Sequence, residues 1–230
     1  LHGKTGLFLI FRRINDRLRY MTTSSFHTIS DPSTGEYKEK GSKFIALAFP
    51  VTSEDDVKAR LMEVKKKYFD ARHHCYAYVL GADKNKFRAY DDGEPNHSAG
   101  DPILGQIRSR NLTNVLVIVV RYFGGIKLGV SGLVTAYKTA AEEALDRASI
   151  VEQQITVVLV FEFDYQVTPA IMKLVKDFDL RIINQEFGEA CSIKAEVLLS
   201  WRDSLMERIR LLNVTGTVFT VTVDEWPDKN

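Results

Sequence analysis

Residues 115–135 read VLVIVVRYFGGIKLGVSGLVT, and this stretch decides the first fold. Val115 to Val120 is an unbroken apolar run rich in β-branched residues, the pattern of a strand covered on both faces. Four glycines follow, Gly124, Gly125, Gly129 and Gly132, before Leu133, Tyr137, Ala140 and Ala144 recur at helical spacing as far as Leu145. Strand, glycine-rich turn and helix in that order gather main-chain N–H groups and a positive helix end into one loop, which suits an anion. Arg121 would add a bidentate fork and Lys127 a point charge. No Gly-Lys-Ser/Thr ends the loop, so it is not a Walker motif. The alternative is structural: glycines that only permit a tight turn and close strand–helix packing.

Working outward, Phe44 to Val51 reads as a buried strand. Ser53 with Glu54, Asp55 and Asp56 reads as a helix start, a capping hydroxyl followed by acids that suit the positive end. Val57, Leu61, Val64 and Tyr68 would form its apolar stripe, and Lys65-Lys66-Lys67 its C-terminal cations. Cys75 to Leu80 and Phe87 to Tyr90 predict paired strands. Asp101-Pro102 predicts a helix start, with Asp101 as the cap and Ile103, Leu104 and Ile107 facing the core. Beyond the junction at Ser149 to Gln154, the pattern is strand, helix, strand, strand, helix, strand over Ile155 to Val223, the split βαβ of a ferredoxin-like unit.

The division expected is thus 1–20, an extension outside any domain; 21–150, a β-α domain; and 151–230, a ferredoxin-like domain. Segment 1–20 has an apolar run at Leu7 to Phe11 followed by Arg12-Arg13, too short for a spanning helix. A basic amphipathic helix lying on a membrane surface is its alternative reading. Of 230 residues, 45% are hydrophobic and 27% charged, which excludes a disordered or fibrous chain. Two cysteines, Cys75 and Cys191, exclude a disulfide framework and predict a reduced, cytoplasmic protein. The net charge of +1 conceals five Lys/Arg against one acid in 1–20, and eight against thirteen in 151–230. No polybasic field covers the chain, so any anion site is local.

Two further clusters carry possible chemistry. Asp91, Asp92 and Glu94 in the loop Tyr90 to Pro95 could hold Mg²⁺ through carboxylate oxygens. They could equally cap the following helix, or hydrogen-bond Arg121 and the glycine loop. In Arg72-His73-His74-Cys75, adjacent strand residues point to opposite faces and cannot easily share one metal ion. Cys75 reads as a core residue, His74 as a polar contact to a ligand, and Tyr122 with Phe123, Tyr76 and Tyr78 as core or as stacking partners for bases.

His74-Cys-Tyr-Ala-Tyr78, Asp91-Asp-Gly-Glu-Pro95, Ala99-Gly-Asp-Pro-Ile-Leu104 and Val120-Arg-Tyr-Phe-Gly-Gly-Ile-Lys-Leu-Gly129 together closely resemble the IMPACT family, whose bacterial branch is called YigZ. The resemblance runs from about Glu39 to Leu145. It implies an α+β protein: a first domain like the second domain of ribosomal protein S-five, then a ferredoxin-like domain like domain V of elongation factor G. Eukaryotic members regulate translation, and the family brings no catalytic residues. The resemblance marks Arg121, Gly124, Gly125, Lys127, Gly129, Asp92, Glu94 and His74 as a shared surface. The expectation is a non-enzymatic, translation-associated protein binding RNA, the ribosome or a translation-factor partner, with no membrane association, no cofactor and no metal. The alternative is a Mg²⁺-dependent enzyme acting on a phosphorylated small molecule or nucleotide at the glycine loop.

Overall fold

The computed structural model describes residues 24–188 and 190–225. The expected extension 1–20 lies outside the described residues. In chain order the strands are β1 (Ser25–Ile29), β2 (Ser33–Glu39), β3 (Ser42–Pro50), β4 (His73–Leu80), β5 (Lys86–Tyr90), β6 (Val115–Tyr122), β7 (Ile150–Gln154), β8 (Thr156–Phe163), β9 (Arg181–Glu186), β10 (Cys191–Leu198) and β11 (Phe219–Glu225). The helices are α1 (Glu54–Lys67), α2 (Gly100–Ser109), α3 (Gly129–Asp146), α4 (Thr168–Asp177) and α5 (Arg202–Val214). Two compact units result, a first spanning Phe26–Gln153 and a second from Gln154 onward that also takes in Ser25.

In the first unit an antiparallel sheet runs β2-β3-β6-β4-β5, with β6 in the centre. Alternation along β6 sends Val115, Val117 and Val119 to one core and Leu116, Ile118 and Val120 to another. The first core is completed by α2 and α3 through Ile103, Ile107, Tyr137 and Ala140. The second is completed by α1 through Val57 and Val64. Burial on both faces explains why the strand reads as continuous apolar sequence. A Cβ on Gly35 would lie 2.4 Å from the Ala144 nitrogen, so its absence lets β2 lie against α3.

Helix starts differ instructively. Ser53 Oγ accepts from the Asp56 amide (3.1 Å) and Asp56 accepts from the Ser53 amide (3.0 Å), a reciprocal capping box. Helix α2 corrects the expectation for Asp101: it begins at Gly100, and Asp101 lies inside its first turn. Its acceptor comes instead from Asp91, whose carboxylate takes the amides of Ala99 (3.0 Å) and Gly100 (2.8 Å). The Ser149 to Gln154 junction also differs from the expectation. Residues Ile150–Gln154 form a strand paired with β1, an element without a clear apolar alternation to announce it.

The second unit orders its sheet β11-β8-β10-β9, antiparallel throughout, with α4 and α5 as its connections. That is the ferredoxin-like arrangement. Phe161, Ile193, Ile171, Ile209 and Val221 are among its buried residues.

Candidate functional site

Antiparallel pairing brings the start of β3, the start of β4 and the end of β6 to one end of the first sheet. Lys43 pairs with Tyr122, and His73 with Arg121. The glycine loop leaves β6 at that end and is fastened to the β2–β3 turn. Gly124 donates its amide to Ser42 Oγ (3.2 Å), and a Cβ on Gly124 would stand 1.9 Å from the Gly41 carbonyl carbon. Gly124 is therefore a close-approach glycine. Gly125 (φ +87°) and Gly129 (φ +74°) are different: nothing crowds them, and it is their positive φ that requires glycine.

Phe123 through Lys127 are exposed. The amides of Gly125, Ile126, Lys127 and Leu128 have no acceptor among the described residues, and no side chain caps the start of α3. This is a solvent-facing run of N–H groups at a positive helix end, with Lys127 inside it. Phe123, Ile126 and Val130 stand about half exposed around it.

Of the two sequence readings of Arg121, a fork beside these amides or the partner of an acid in the Tyr90–Pro95 loop, the second describes its contacts. It is 6% exposed and donates through Nη1 to Glu94 Oε1 at 2.6 Å. The same Glu94 oxygen accepts from the Tyr137 hydroxyl (2.8 Å). The guanidinium carbon lies 5.5 Å from the Phe44 ring centre and 5.6 Å from that of Phe123. Arg121 thus underpins Phe123, and its charge is answered from within.

The acidic loop is likewise spent internally. Asp91 caps α2 and also accepts the His97 amide (2.9 Å). Asp92 accepts the His74 amide (2.7 Å), while its carbonyl meets His73 Nδ1 (2.8 Å). Glu94 holds Arg121. No group of three His, Cys, Asp or Glu among the described residues is disposed to hold a metal ion. His74, read as a ligand contact, is buried with Nε2 against the Tyr68 carbonyl (3.1 Å), and burial lowers its pKa from the ordinary histidine value. Cys75 donates to the Asp91 carbonyl (2.9 Å), and burial drives its thiol pKa far up, which leaves no thiolate. Tyr122 is half-buried and donates to Asp70 (2.8 Å), a bond that raises its pKa.

Of the expected residues, the fold therefore leaves Gly124, Gly125, Lys127 and Gly129 on the surface, holds Tyr122 half-buried on Asp70, and engages Arg121, His74, Asp91, Asp92 and Glu94 in hydrogen bonds within the unit. Tyr137, which joins these bonds, was legible only as part of the apolar stripe of α3. The Ser42 support was not legible, since nothing local marks a serine that will meet a loop 82 residues away.

The family model described as the Impact N-terminal domain matches residues 40–145. The IMPACT family member YvyE of Bacillus subtilis (strain 168) is 35% identical over 141 residues, 61% of this chain and 65% of that protein. The IMPACT family member YigZ of Escherichia coli (strain K12) is 34% identical over 158 residues, 68% of this chain and 78% of that one. A crystal structure described as that of an hypothetical protein superposes with a TM-score of 0.68 at 27% identity, covering 88% of this chain and 98% of its own. No helix among the described residues is long and apolar enough to cross a membrane. With the glycine loop inside the matched segment and identity sustained along more than three quarters of the Escherichia coli protein, this chain belongs to the IMPACT family.

Proposed function

We propose that this protein is a non-enzymatic, translation-associated regulator that binds RNA phosphates at the glycine loop of its first unit. The observation that carries the reading is the run of amides from Gly125 to Leu128, with exposed Lys127 in it, that has no acceptor among the described residues. Such groups recognise a phosphate oxygen without base specificity. The translation link is what membership of the family implies for a phosphate-binding protein without catalytic residues. The Mg²⁺-dependent enzyme has less support, because Asp91, Asp92 and Glu94 already accept hydrogen bonds from the chain itself.

The test is fluorescence anisotropy with labelled RNA across a salt series. Each phosphate engaged contributes about −0.7 to the log–log slope for a single strand and about −0.9 for a duplex. Replacing Lys127 with Ala is expected to weaken binding and to flatten the slope by about one such step. Absence of association with any RNA or ribosomal fraction at low salt would overturn the reading.

A further inference from the structure

Phe123 opens the glycine loop with half of its surface in water, 51% exposed. A single exposed apolar residue is ordinary. Here the fold fixes where the ring stands. Alternation along β6 puts Val117 and Val119 on the side of α3, and Arg121 follows on that side. The Arg121 guanidinium carbon lies 5.5 Å from the ring centre of Phe44, a residue of the α3 core, and 5.6 Å from that of Phe123. Arg121 is buried, gives Nη1 to Glu94, and has no hydrogen-bond partner for Nε among the described residues. Its charge therefore backs the Phe123 ring from within, and the face away from Arg121 is the one a ligand can reach. Beyond Phe123 come the bare amides of Gly125 to Leu128 and the start of α3, which has no acid in its first turn. Lys127 is exposed within that run, and Lys40 is exposed one residue before the Gly41 that packs on Gly124. Neither lysine has an ion-pair partner among the described residues. From Phe123 to Tyr137 the chain holds no acidic residue.

We propose that the loop holds one unpaired RNA nucleotide as a unit, its base on Phe123 and its phosphate on the Gly125–Leu128 amides between Lys40 and Lys127, which makes the site selective for single strands over duplex. The proposal rests on the RNA reading of the glycine loop and extends it from the phosphate to the base. Gly125 is two residues from Phe123, so their Cα atoms lie within about 7 Å whatever the loop conformation, the scale of a single nucleotide. The guanidinium holds the ring from behind, so a base on the open face meets a fixed platform without the ordering cost of a mobile side chain. Any unpaired base can stack there, whereas a duplex keeps its bases stacked on one another. Two lysines without ion-pair partners supply the charge complementarity that the phosphate needs.

The full chain is titrated with a labelled oligouridylate and with a labelled RNA duplex, as wild type, Phe123→Leu, Phe123→Trp and Lys40→Asn. Leucine keeps an apolar cover over Arg121 and removes only the aromatic face. Asparagine tolerates the positive φ of Lys40 (+46°) and removes only the charge. The expected result for Phe123→Leu is a loss of about tenfold on the single strand, with the salt slope and the duplex affinity unchanged. Phe123→Trp keeps the wild-type single-strand affinity. Lys40→Asn flattens the slope by about 0.7 on the single strand. Thermal melting of each variant verifies the fold. Phe123→Leu binding the single strand as wild type does, Phe123→Trp binding no better than Phe123→Leu, or equal losses on both RNAs would overturn the nucleotide unit while leaving the loop reading intact. An unchanged slope in Lys40→Asn would overturn the placement of the phosphate between two lysines. Absence of RNA binding by the wild type overturns both the unit and the loop reading. Displacement of the oligouridylate by vesicles of equal parts phosphatidylglycerol and phosphatidylcholine, at equal charge concentration, would also overturn the unit, and would assign the exposed Phe123, Ile126 and Val130 to a lipid surface.

Discussion

Glu94 and Arg121 meet at 2.6 Å with their side chains 5% and 7% exposed. Withdrawing two charges from water is costly, so such a pair holds only when its remaining hydrogen-bonding groups are also satisfied. Here Tyr137 donates to the same carboxylate oxygen and two phenyl rings lie near the guanidinium, although Arg121 Nε has no hydrogen-bond partner among the described residues. Removing one partner would strand the other charge. Glu94→Gln is therefore expected to destabilise the first unit by about 3–5 kcal/mol in urea unfolding, and a Glu94→Gln/Arg121→Met double variant to recover part of that loss. At this scale the sequence left alternatives open. Arg121 reads equally well as an outward fork or as the partner of an acid 27 residues away, and burial alone chooses between them. His74 is the same case: a histidine beside a cysteine is a ligand candidate until two neighbouring segments close over it.

Elements with their stop and start signals in adjacent residues were legible. The α1 capping box lies within Ser53 to Asp56, and the αβ order of the second unit follows from periodicity alone. Those whose signals come from elsewhere were not. Helix α2 borrows its cap from Asp91, and β7 depends on β1, far away in the chain. The glycine loop shows both situations within two residues. Gly124→Ala would drive a methyl group into the Gly41 backbone, and is expected to cost about 2–4 kcal/mol and to separate the loop from the β2–β3 turn. Gly125→Ala meets open space and pays only for its positive φ, about 1–2 kcal/mol. Thermal melts of the two variants should rank them in that order. The reverse order would show that conformation, not close approach, governs this turn.

Over the whole molecule, a net charge of +1 offers no long-range attraction for a polyanion, so the proposed RNA binding would fall to a few placed groups on the first unit. That unit has its own two cores on either face of one sheet. A fragment spanning Phe26 to Gln153 is accordingly expected to melt cooperatively by circular dichroism and, on the proposed RNA reading, to bind RNA with the affinity and salt slope of the full chain. A fragment that folds yet binds no RNA would move the interface to the acidic second unit. The sequence by itself determined the α+β architecture, the ferredoxin-like order of the second unit and the place of the glycine loop, because periodicity, caps and glycines act over a few residues. Only the tertiary structure decided which polar groups near that loop reach water. Solvation depends on which distant segments close over a side chain, so Asp91, Asp92, Glu94 and Arg121 became internal support while Lys127 and the bare amides stayed outside.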